Sequence, residues 1–151
     1  MKKLLALGMT IVALVFMVGC NSSSSEEKKV FVSETEGYTS EITYYYKDDD
    51  VTRQTTKNLV SYEYLGATNA AEAEATLEPY ASQYRDVKGI DYSIDYERDP
   101  VVEEITITYA DIDYEQVKNI DGFTIEGDIS QGISMKKSEE LMLNQGYTLK
   151  E

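Results

Sequence analysis

With 151 residues, 28 acidic side chains against 14 basic ones and a formal net charge of −14, the chain has a surface that repels nucleic acid and anionic lipid headgroups and disfavours acidic partners in general. It has no histidine, no tryptophan and a single cysteine, which excludes imidazole acid–base catalysis, Ser-His-Asp triads and zinc sites built on imidazole or thiolate. Any chemistry must come from carboxylates, lysine, tyrosine or hydroxyls, and no cofactor is implied.

The first predicted element is a secretory signal over residues 1–19. Lys2 and Lys3 precede an uncharged apolar run from Leu4 to Val18, and Gly19 stands before Cys20. The run is 15 residues long, whereas a membrane span needs about 20. A cysteine directly after the cut is the mark of a bacterial lipoprotein, so Cys20 is expected to carry a diacylglycerol thioether and to be closed to disulfide, metal or nucleophilic chemistry. Two acyl chains anchor stably, because each buried CH2 contributes about 0.8 kcal/mol. Residues 20–29, rich in serine, glutamate and lysine, are expected to form a flexible tether, whose nine residues after Cys20 span about 15–18 Å. Loss of Lys2 and Lys3 leaves 12 basic against 28 acidic side chains in the mature chain, a net charge of −16.

Residues 30–151 are expected to form one globular domain with tyrosine as its main aromatic core material, since all 13 tyrosines fall there. Val30–Glu36 reads as a strand broken by Gly37. Thr39–Lys47 alternates, with Ile42, Tyr44 and Tyr46 on one face and Thr43 and Tyr45 on the other. Asp48, Asp49 and Asp50 form a hairpin turn into Val51–Thr56, and Leu59–Leu65 reads as a further β segment ending at Gly66. Asn69 and Glu72 cap a helix whose apolar stripe is Ala73, Leu77, Tyr80, Tyr84 and Val87, bent by Pro79 near its second turn. Ile90–Glu97 and Val101–Tyr109 make a hairpin about Arg98, Asp99 and Pro100. Asp113 and Gln116 cap a short helix through Ile120, closed near Gly122. Phe123–Ile129 reads as a strand, and Ser134 caps a last helix to about Gln145 with Gly146 closing it. The order of elements predicts an α+β two-layer sandwich, an antiparallel sheet with helices packed on one face.

Several segments in this order resemble one family. Ile42-Thr43-Tyr44-Tyr45-Tyr46-Lys47, Leu65-Gly66-Ala67-Thr68, Thr76-Leu77-Glu78-Pro79 and Gly132-Ile133-Ser134-Met135 with Gly146-Tyr147 are similar to the YehR-like bacterial lipoproteins. The resemblance spans nearly the whole mature domain and includes the lipidated cysteine. It implies a small α+β lipoprotein of unknown function and carries over no catalytic or ligand residues.

Candidate chemistry is sparse. Asp48, Asp49 and Asp50 offer clustered oxygens for Ca2+, but aspartate is a normal turn residue and a solvated hairpin explains the run better. Asp111, Asp113 and Glu115 begin like a calcium loop, yet Gln116 stands where glycine is required and Gly122 where the bidentate glutamate is required. Glu103 with Glu104, or Asp91 with Asp95, could pair for glycan hydrolysis. Asp91, Ser93 and Asp95 also match an ordinary solvent-exposed sheet face. Tyr44, Tyr45 and Tyr46 could stack on sugars, but successive strand residues point to opposite faces, so at most two share a platform.

The expectation is therefore an extracytoplasmic, lipid-anchored envelope protein, in the outer leaflet or in the outer membrane of a two-membrane cell. It acts as a non-catalytic binding or interaction module through its exposed sheet face, towards an envelope protein or cell-wall partner. A carboxylate-dependent enzyme acting on cell-wall glycan and a weak divalent-cation binder remain the alternatives.

Overall fold

The computed structural model describes residues 25–118, 120 and 132–150. The signal segment, Cys20, Gly122 and the strand expected at Phe123–Ile129 lie outside these residues. Strands β1 (Glu27–Thr35), β2 (Tyr38–Lys47), β3 (Asp50–Val60), β4 (Ile90–Asp95), β5 (Val101–Thr108) and β6 (Thr148–Lys150) form one antiparallel sheet in the order β4-β5-β3-β2-β1-β6. Helices α1 (Tyr62–Leu65), α2 (Ala70–Ala81), α3 (Tyr114–Val117) and α4 (Met135–Asn144) complete a mixed α+β fold.

Strand alternation sets the core. Phe31, Ile42 and Tyr44 pack with Met135 and Met142 of α4, and Phe31 meets Tyr44 edge to face at 6.0 Å. Ile90 and Ile107 pack with Val117 and Ile120, while Val101 packs with Ala67 and Ala73. The register aligns Phe31, Ile42, Thr56, Ile105 and Tyr92 across five strands, and Tyr44, Gln54, Ile107 and Ile90 across four. All these sheet residues therefore share one side of the pleat. A bulge between Tyr45 and Tyr46 shifts the β2–β3 register so that Val51 lies opposite Tyr46. That extra residue turns Val51 into the cluster, where it is 2% exposed.

The caps read from the sequence are in place. Asn69 Oδ1 accepts from the Glu72 amide at 3.1 Å, and Glu72 reaches back to the Thr68 amide at 2.8 Å. Ser134 Oγ accepts from the Lys137 amide, and Gly146 follows α4 with φ +86°.

Five details differ. Leu59–Leu65 is not one β segment: β3 runs unbroken from Asp50 to Val60, and Ser61 then caps α1 by accepting from the Tyr64 amide at 3.1 Å. The run is rich in β-forming residues, so its local propensity masked the cap. The α2 stripe fails at Tyr80, which is 57% exposed, while Ala81 is 1% exposed. Pro79 stands in the last turn of α2 rather than its second, and a 3-10 turn over Ser82–Tyr84 replaces further α-helix. β1 begins at Glu27, inside the expected tether, because Glu27, Lys28 and Lys29 pair with Tyr46, Tyr45 and Tyr44. Finally, β6 adds a strand on the far side of β1.

Candidate functional site

The other side of the pleat carries three polar rows. One runs Lys150, Val30, Thr43, Thr55, Thr106 and Asp91 across all six strands. The next is Val32, Glu41, Lys57, Glu104 and Ser93, and on the other flank lie Lys28, Tyr45, Arg53 and Thr108. Members of all three rows, among them Lys28, Glu41, Thr43, Tyr45, Thr55, Lys57, Glu104, Thr106 and Lys150, line a shallow hollow of about 820 Å3. Threonine suits this floor because its branched side chain fits the pleat while its hydroxyl stays available. Thr43, shielded by its longer neighbours, is only 8% exposed.

Charged pairs edge the floor. Lys57 Nζ meets Glu104 Oε1 at 2.8 Å, and Lys150 Nζ meets Glu41 Oε2 at 2.8 Å. The hydrogen bond from Lys150 to Glu41 holds its ammonium above the ordinary lysine pKa. Both pairs are exposed, and solvent screening leaves such pairs little share in stability. The Arg53 guanidinium lies 3.7 Å from the centre of the Tyr45 ring and is paired with Glu26 at 3.7 Å. The floor thus offers hydroxyls and exchangeable charges for binding. Its carboxylates Glu41 and Glu104 are both engaged with lysines.

The sequence candidates separate. Tyr45 projects to this face, whereas Tyr44 and Tyr46 lie in the core, so the three share no platform. Asp91, Ser93 and Asp95 are exposed on the edge strand β4. Glu104 faces the hollow, but its neighbour Glu103 faces the opposite side, accepting from Asn58 Nδ2 at 2.6 Å and Tyr92 Oη at 2.7 Å. Asn58 in turn accepts from Tyr38 Oη at 3.2 Å. This Tyr38-Asn58-Glu103-Tyr92 chain joins four strands at residues 11 to 45 positions apart, so no local pattern signalled it.

Asp48 takes φ +55° in the hairpin turn, and Asp49 caps α4 instead of gathering with its neighbours. Asp113 accepts from the Glu115 amide at 3.0 Å at the start of α3. Among the described residues no three of histidine, cysteine, aspartate and glutamate are placed to hold a metal ion. No described helix is long and apolar enough to cross a membrane.

Comparison with known proteins places this architecture. Residues 27–148 match the family model described as "Protein of unknown function (DUF1307)". The uncharacterized lipoprotein Lin0239 of Listeria innocua is 36% identical over 96% of this chain and 96% of its own length. The uncharacterized lipoprotein YehR of Escherichia coli is 30% identical over 97% of this chain and 95% of its own. The NMR structure of E. coli YehR superposes with a TM-score of 0.71, covering 83% of this chain and 91% of that one. An NMR structure of a Streptococcus pneumoniae TIGR4 protein, 13% identical with a TM-score of 0.56 and covering 99% of both chains, shares the fold.

Proposed function

The chain belongs to the DUF1307 family of proteins of unknown function and is similar to the uncharacterized lipoproteins Lin0239 and YehR, and we propose that it is an envelope lipoprotein acting as a non-catalytic binding module. Residues 1–19 are the signal peptide, Cys20 carries the lipid in the outer leaflet or outer membrane, and the ordered domain follows a short tether. The relatives' designation as lipoproteins and the Lys-Lys, apolar, Gly-Cys pattern support the anchor. The helices pack on one face of the sheet, a reading supported by the single pleat side shared by the sheet residues of all three apolar clusters.

The observation that carries the binding role is the threonine row of the opposite face, Thr43, Thr55 and Thr106, set in a hollow with exchangeable charges along its edge. The test is thermal unfolding of the full-length lipoprotein in detergent with cell-wall fragments, simple sugars, basic peptides and divalent cations. A ligand of the native state raises stability by RT ln(1 + [L]/Kd). The expected result is a saturable rise with one wall or peptide component that Thr55→Tyr abolishes by filling the floor. A rise that Thr55→Tyr leaves intact, or one given by divalent cations alone, overturns the reading. Turnover of a glycan fragment would move the assignment to a carboxylate enzyme.

A further inference from the structure

We propose that the hollow takes an extended polyanion, specifically a polyol-phosphate chain with repeating phosphodiesters; this rests on the binding face inferred above and names its ligand. The chain as a whole is strongly acidic, with a formal charge of −14, yet the hollow is lined by Lys28, Lys57 and Lys150 against only Glu41 and Glu104. Lys28 makes no ion pair among the described residues. The local sign is therefore opposite to the net sign. Repulsion from the rest of the surface fades beyond about 8 Å at physiological ionic strength, so the local charges govern a ligand already seated.

Spacing selects a chain over a small anion. Lys150 stands on β6 and Lys57 on β3, three strands apart, which at about 4.8 Å per strand is roughly 14 Å. Their head groups do not converge: Lys150 leans to Glu41 on β2, and Lys57 leans to Glu104 on β5. One phosphate cannot satisfy both, whereas successive phosphates along a flexible chain can. Between them Thr55 and Thr106, flanking the buried Thr43, present hydroxyls able to bond to the polyol and to phosphate oxygens.

Ammonium groups also suit phosphodiesters. The arginine on this face, Arg53, is laid on Tyr45 and paired with Glu26, which leaves the lysines to meet phosphate oxygens as point charges. The lysine pairs at the edge are exposed and weak, so exchange of a glutamate for a phosphate is inexpensive.

The experiment is calorimetric titration of the full-length lipoprotein in detergent with poly(glycerol phosphate), polygalacturonate, neutral dextran and inorganic phosphate. Saturable binding of poly(glycerol phosphate) is expected, well above that of the other three. The Lys28→Gln/Lys57→Gln/Lys150→Gln variant should weaken it about tenfold, since three exposed charges are lost. The Lys136→Gln/Lys137→Gln variant, altered on α4, should stay within about twofold. Equal binding of dextran or inorganic phosphate, preference for polygalacturonate, or equal loss in both variants overturns the proposal. If poly(glycerol phosphate) fails while another component gives a rise in melting temperature sensitive to Thr55→Tyr, the ligand class falls and the face stands. If no response is sensitive to Thr55→Tyr, both fall.

Discussion

The carboxylate of Asp49 receives the hydroxyl of Ser134 at 2.7 Å, joining the β2–β3 turn to the start of a helix 85 residues further along the chain. The other oxygen accepts from the Lys136 amide at 2.8 Å, and the Asp49 carbonyl accepts from the Met135 amide at 2.8 Å. Asp49 is thus a second cap for α4, supplied from across the fold, and its negative charge suits the helix N-terminus. The Lys136 amide, and then the Ser134 hydroxyl, hold its pKa below the ordinary aspartate value.

Asp49→Asn should lower the melting temperature by a few degrees at neutral pH. Because the folded pKa is depressed, the stabilisation is fully present above the unfolded value of 3.8 and is lost as pH falls through the folded one. The gap between wild type and Asp49→Asn should therefore be constant from pH 7 to about pH 5 and close below about pH 4. A gap unchanged at pH 3 would show that the charge of Asp49 plays no part.

At the other end of the scale, burial raises the tyrosines. Tyr44 is pushed up to about 12 by burial, with Tyr147 adding to it, and burial also raises Tyr38, Tyr92, Tyr96 and Tyr109. A raised folded pKa means that stability is complete below the unfolded value of 10.0 and is lost as pH climbs through the folded one. Denaturant midpoints should hold to about pH 9.5 and decline between about pH 10 and 12. Tyr44→Phe should flatten that decline in part and remove a late component from the phenolate absorbance titration.

Glu103→Ala strips a partner from Asn58 and another from Tyr92, and should cost about 1–3 kcal/mol by urea unfolding. A double-mutant cycle with Asn58→Ala should show coupling, since the two side chains bond directly at 2.6 Å. Additive losses would mean that the chain of polar groups carries no shared energy.

Two glycines of similar backbone should differ in tolerance. Gly66 has φ +68° with open space where a Cβ would stand, so Gly66→Ala should cost only the left-handed strain, about 1–2 kcal/mol. Gly89 has φ +83°, and a Cβ there would meet the Ile112 amide nitrogen at 2.7 Å. Gly89→Ala should be clearly worse, since backbone atoms cannot rotate aside. Equal melting temperatures for the two variants would contradict this.

Cys20→Ala should move the protein from the membrane fraction to the soluble one and abolish incorporation of labelled palmitate. Retention on the membrane would place the anchor elsewhere.

The sequence made local features legible and hid those that depend on register. Asn69 with Glu72, Ser134 with Gly146, and the alternation of Ile42, Tyr44, Ile90 and Tyr92 are short-range signals, and each corresponds to an element. Helix α1 was hidden by the β-forming side chains of Leu59–Leu65, and β6 by its length of three residues. The hollow was hidden for a different reason. Thr43, Thr55 and Thr106 become one row only through pairings between β2, β3 and β5, the last two about 50 positions apart, and the bulge beside them skips Thr52. Nothing near any one of these threonines marks it out.

The antiparallel pairing of β1 has a mechanical meaning. Its nine rungs to β2 run from Glu27 with Tyr46 to Thr35 with Tyr38, and on its other side Val30, Phe31 and Val32 are gripped by β6. When tension applied ahead of Glu27 lies along the strand axis, the rungs bear it together in shear instead of opening one after another. The first strand of the sheet is thereby the one best placed to carry a pull without unzipping the sheet.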